Sequence, residues 1–133
     1  MTKYVFLFLV SFLSCSQRNE LPIVEIRSVD RNIETPYRVE CFYFENAFSD
    51  QILKREMKNG DEVERLLKVL DQSEEVTTSS NIDTRMKAYI RYSDRIDTIC
   101  GDGFTVRYKG KILKLSSELS SIFWDRKTQV PDK

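Results

Sequence analysis

Arg85-Met86-Lys87-Ala88-Tyr89-Ile90-Arg91-Tyr92 is the stretch on which the fold turns. Met86, Ala88, Ile90 and Tyr92 alternate with Arg85, Lys87, Tyr89 and Arg91, the period-two pattern of an antiparallel strand with one face in a core. Ser93-Asp94 then turns the chain into Ile96-Asp97-Thr98-Ile99-Cys100, which reads as its hairpin partner. Gly101-Asp102-Gly103 breaks the chain again. Phe104–Tyr108 and Lys111–Leu115 flank Lys109-Gly110, the makings of a second hairpin with a two-residue turn.

Upstream, Asn59 and Glu62 have the spacing of a capping box at the start of a helix. Val63, Leu66, Leu67 and Leu70 follow at i, i+3, i+4 and i+7, one face of a helix over 60–72. Ile23–Val29 predicts a first strand with Val24 and Ile26 on one face. Arg38–Glu45, dense in β-branched and aromatic residues, predicts a second, central strand. Ile52–Lys58 reads either as a strand with Leu53 and Met57 inward or as the first turns of a helix. Ser117–Trp124 predicts a short terminal helix with Leu119, Ile122 and Phe123 facing in and Trp124 as a lid over the sheet. Residues 125–133 read as a frayed polar tail. The expected fold is therefore α+β: an antiparallel sheet of five to seven strands, one packed amphipathic helix and a short C-terminal helix.

The chain has 133 residues, with 21 Lys and Arg balanced by 21 Asp and Glu. So even a balance lacks the concentrated basic face that nucleic acid requires, and no nucleic-acid partner is expected. Histidine is absent, which removes the usual neutral-pH base and the commonest metal ligand. No Ser-His-Asp or Cys-His set can be assembled. No phosphate loop, dinucleotide fingerprint or C-x-x-C pair occurs either. No cofactor, metal site or enzymatic activity is expected.

Three groups remain as candidates. Asp94, Asp97 and Asp102 are the best carboxylate set for acid–base work or calcium, against the plainer reading that they serve hairpin turns. Arg85, Lys87, Tyr89 and Arg91 form a candidate binding surface for an acidic protein patch, a glycan or lipid headgroups. The plainer reading there is a solvated face balanced by neighbouring acids. Cys41 and Cys100 are either a disulfide or two buried thiols in neighbouring strands.

At the N-terminus, Lys3 precedes the apolar run Tyr4–Leu13, and Ser14-Cys15-Ser16 follows. A basic start, a short apolar core and a small residue before the cut are the parts of a secretory signal. Ten residues is half of the roughly 20 that a membrane-spanning helix needs. The segment resembles a lipobox, with Phe12, Leu13 and Ser14 before the cysteine and Phe12 where Leu is usual. Phe-rich signals ending in Ser-Cys are familiar among lipoproteins of Bacteroidota, and the chain as a whole resembles the small lipoproteins of that group. The resemblance implies residues 1–14 as signal peptide and Cys15 as the acylated residue that holds the chain to a lipid membrane. It implies 15–22 as a tether and 23–124 as a single domain. Ser16, rather than Asp, after the cysteine implies the outer membrane, and the periplasmic face is the default. No catalytic residue carries over from the likeness.

The leading expectation is a non-enzymatic, membrane-tethered binding or scaffolding module that engages an envelope protein through an exposed sheet face or edge. Its rivals are an inhibitor or immunity lipoprotein against an envelope-targeted toxin or hydrolase, and an enzyme built on the Asp94, Asp97 and Asp102 group.

Overall fold

The computed structural model describes residues 20–77, 81–125 and 130–131; residues 1–14, read as a signal peptide, Cys15 and most of 125–133 lie outside them. The strands are β1 (Ile23–Ser28), β2 (Leu53–Met57), β3 (Met86–Arg91), β4 (Ile96–Gly101), β5 (Thr105–Tyr108), β6 (Lys111–Lys114) and β7 (Val130–Pro131). They form one antiparallel sheet in the order β6-β5-β4-β3-β1-β2-β7. The helices are α1 (Phe44–Phe48), α2 (Gly60–Gln72) and α3 (Ser117–Phe123). The fold is α+β, as the sequence predicts.

Strand β3 runs through the middle of the sheet. Ile26, Ala88 and Ile99 are in register across β1, β3 and β4, and all three are fully buried. On that face lie α2, through Val63, Leu66 and Leu70, and α3, through Leu119, Ile122 and Phe123. Burying each such side chain stabilises the fold by roughly 1.5–3 kcal/mol. Asn59 caps α2 as expected, its side-chain oxygen accepting from the Asp61 backbone N–H at 3.0 Å. Glu62 does not complete a capping box; its carboxylate lies 3.8 Å from Arg55. Ser116 caps α3 by accepting from Leu119 N–H at 3.1 Å.

Both hairpins form where expected. Lys109 and Gly110 take φ of +49° and +73°, the left-handed pair whose twist suits a two-residue turn between antiparallel strands. Ile52–Lys58 resolves as a strand. Leu53, Arg55 and Met57 share its inner face, so an arginine enters the core layer. Arg55 is 7% exposed, and its guanidinium donates to the Ile122 carbonyl at 2.8 Å, satisfying one of the acceptors left over at the end of α3.

Two expectations are corrected. Arg38–Glu45 is not a central strand: residues 41–43 form a 3-10 turn that leads directly into α1. The β-rich composition yields to burial: Phe44 and Phe48, one turn apart on α1, are buried together with Val29, Val39 and Ile52. This second cluster is separate from the main core. The tail is not wholly a tail either. Val130 and Pro131 pair with Lys54 and Leu53, so the sheet continues past residue 124. The pairing covers backbone groups of β2 that would otherwise form an open edge, where proline is tolerated.

Candidate functional site

The outer face of β3 is a closed ionic cluster rather than an open surface. Arg85 and Lys87 are 7% and 8% exposed. Helix α1 lies over them and brings Glu45 onto the sheet. The Glu45 carboxylate accepts from Lys87 Nζ at 3.0 Å and from the Tyr89 hydroxyl, and Arg27 of β1 lies 3.6 Å away. Arg85 grips both oxygens of Asp83, at 2.7 and 2.9 Å. Arg91, further along, lies 3.5 Å from Glu25. The charges are balanced by neighbouring acids, as the plainer reading has it, but two of the four side chains are buried instead of solvated. The corrected helix is the reason, since a strand at 38–45 would have left this face bare.

Titration follows from the same geometry. Burial pushes the Glu45 carboxyl up, but the hydrogen bonds from Tyr89 and Lys87 outweigh it and hold Glu45 below the usual glutamate range. Burial and the bond to Glu45 raise the Tyr89 phenol above its ordinary value.

Cys41 and Cys100 form a disulfide, with Cα atoms 5.8 Å apart and a sequence separation of 59. The bond pins the turn before α1 to the outer face of β4. The buried-thiol alternative placed both cysteines in strands; only Cys100 is in one.

Asp94, Asp97 and Asp102 do not form a site. Asp94 sits in the turn between β3 and β4, Asp97 faces inward within β4, and Asp102 lies past the opposite end of that strand. Six strand residues separate the two ends by about 20 Å. Asp102 does serve its turn: its Oδ1 accepts from the Phe104 and Thr105 backbone N–H groups, both at 2.7 Å. Among the described residues, no group of three or more His, Cys, Asp or Glu side chains is placed to hold a metal ion. Cys15 lies outside the described residues.

A different site stands out at the end of the sheet where β1 and β4 finish and β3 starts. There a cleft of about 560 Å³ is lined by Arg31, Asn32, Asp83, Arg85, Phe104 and Trp124, among others. Trp124 is one of its lining residues. It is half-buried, with its indole N–H donating to the Val29 carbonyl at 3.0 Å. The Arg31 guanidinium stacks 4.8 Å over the Trp124 ring and donates to Ser120 Oγ at 2.9 Å. Phe104 stands at the rim, 81% exposed. A fixed tryptophan, a stacked arginine and an exposed phenylalanine are the residue types that dominate protein-binding surfaces.

Arg85 and Trp124 are named from the sequence, but for a sheet face and a lid; Arg31 and Phe104 are not marked out by their sequence context. Phe104 alternates with Val106 and Tyr108, which are both buried, so the period-two pattern places it inward. The Asp102 cap turns the backbone so that β5 begins only at Thr105, and the ring is left in solvent. Trp124 does act as a lid, as expected, but also lines the cleft. Comparison with protein-family models, curated proteins and solved structures finds no match to this chain.

Proposed function

We propose that the chain is a lipid-anchored, non-enzymatic module of the bacterial cell envelope that binds or scaffolds another envelope protein from the periplasmic face of the outer membrane. The anchoring half rests on Lys3, the apolar run Tyr4–Leu13 and Ser14-Cys15-Ser16. Two or three acyl chains on Cys15 would hold the protein firmly, at roughly 0.8 kcal/mol per buried methylene. The disulfide suits an oxidising compartment. The absence of histidine from the sequence and the separation of the three aspartates leave the usual acid–base sets without members.

The single observation carrying the binding half is the cleft around Arg31, Phe104 and Trp124. It lies at the Ser28 end of β1, opposite the Ile23 end by which the chain enters the sheet. The ion pairs on the outer face of β3 are spent internally, so the working surface is moved from the sheet face to this cleft.

The test is a photo-crosslinking amino acid in place of Phe104 in intact cells, compared with the same group in place of Glu64, an exposed residue of α2. A discrete protein adduct from position 104 and none from 64 is expected; equal labelling from both argues against the cleft. Cys15→Ala should leave the domain folded and move it out of the membrane fraction. An unchanged membrane fraction would refute the anchor.

A further inference from the structure

We infer that the cleft recognises an acidic side chain of its protein partner, whose carboxylate pairs with the Arg31 guanidinium while a bulky apolar neighbour packs against Phe104 and Trp124. This rests on the proposed reading of the cleft as a protein-binding site and adds the chemistry of what enters it.

The charges lining the cleft are Asp30, Asp83 and Asp102 against Arg31 and Arg85. Asp83 is taken up by Arg85 through both oxygens and by the Val39 N–H. Asp102 Oδ1 accepts from the Phe104 and Thr105 N–H groups. Asp30 Oδ1 accepts from the Asn32 N–H at 3.0 Å. These acids hold pairs and turns of the cleft's own wall. Among the described residues, none of them or any other carboxylate forms an ion pair with Arg31, whose contacts are Ser120 and Trp124.

Arg31 is therefore held in place without being neutralised. One face of its guanidinium lies over the Trp124 ring, and Nη1 donates to Ser120 Oγ. Its stem passes Gly103, where a Cβ would stand 4.0 Å from Arg31 Cδ, so the guanidinium sits beside the turn that carries Phe104. Nε and Nη2 donate to no described residue. Their N–H bonds run parallel along one edge of the planar group, the fork that matches the two oxygens of a carboxylate. A side chain already fixed on an aromatic face loses less freedom when that carboxylate arrives. The negative charge of Asp30 and Asp102 nearby opposes a run of acids, so the fit is to one carboxylate beside apolar bulk. Phe104 and Trp124 supply the apolar contact.

The experiment titrates the full chain with N-acetyl-Asp-Phe-amide and with its Asn-Phe counterpart, read by NMR at the indole N–H of Trp124, the chain's single tryptophan. A saturable shift is expected, with the Asp probe binding about tenfold more tightly than the Asn probe. Raising the salt should narrow that difference. Arg31→Gln should abolish it at an unchanged urea midpoint, and Phe104→Ala should weaken both probes. Equal binding of the two probes, a preference that survives in Arg31→Gln, or no saturable shift overturns the inference. In cells, Arg31→Gln should lower the photo-crosslinked adduct from position 104 several-fold. An undiminished adduct overturns the role of Arg31 and leaves the cleft as a binding site; no adduct from position 104 in the parent chain overturns both.

Discussion

Breaking the Cys41–Cys100 bond tests the link between fold and compartment most directly. The bond closes a sequence separation of 59 residues, and loop-closure entropy over that length amounts to about 4 kcal/mol, between about 3 for a short loop and 4.7 for a 100-residue one. The folded state has other means of keeping this segment in place. Val39 N–H donates to Asp83 at 2.8 Å and Thr84 N–H to the Val39 carbonyl at 2.8 Å, while Phe44 and Phe48 remain buried. The loss is therefore expected mainly in the unfolded chain, whose freedom rises, with the native far-UV spectrum little changed. Against a total stability of about 5–15 kcal/mol, and a urea slope of about 1–2 kcal/mol/M for a domain of this size, the unfolding midpoint should fall by about 2–4 M on reduction.

The assay is urea unfolding followed by circular dichroism, with and without reductant. Cys15→Ala serves as the sample, so that the only thiols to count are the pair in question. The Cys41→Ser/Cys100→Ser chain should match the reduced one. Two free thiols in the native oxidised sample would refute the bond itself. A midpoint shift below about 0.5 M would refute the entropic estimate.

Glu45→Gln removes the carboxylate that Lys87 and Tyr89 share and leaves a buried ammonium beside Arg27. A loss of about 2–3 kcal/mol in urea unfolding is expected, and it should shrink in a Lys87→Met background. Because the Glu45 pKa is lowered in the folded state, its contribution is present above the ordinary glutamate range and disappears as pH falls through the lower folded value; acid titration of stability should show this, and Glu45→Gln should remove that part of the slope. Tyr89 works in the opposite sense: its raised pKa gives a contribution present below the ordinary tyrosine range and lost as pH rises through the folded value. Gly101→Ala puts a Cβ 2.6 Å from Val106 Cγ1 and 3.0 Å from the Thr105 carbonyl; about 1–3 kcal/mol of overpacking strain should lower the melting temperature. Phe104→Ala, at an exposed site, should change stability by less than about 0.5 kcal/mol.

The sequence alone was enough for every element whose signal is local. The alternation of 86–91, the two tight turns, the amphipathic spacing of Val63, Leu66 and Leu70 and the short last helix are each set by neighbours within a few residues, and all form as read. Tertiary structure decided the rest. Arg38–Glu45 has strand composition, yet burying Phe44 and Phe48 against Val29 wins over it, and Val29 lies on another segment of the chain. That choice in turn lowered α1 onto the charged face of β3 and turned a predicted surface into an internal ion cluster. The cleft draws Arg31, Asp83, Phe104 and Trp124 from four separate segments, and Phe104 sits exposed in the turn that Asp102 holds. Period-two and period-3.6 patterns say which face of an element is buried. They do not say which other segment buries it, because that depends on contacts between residues far apart along the chain.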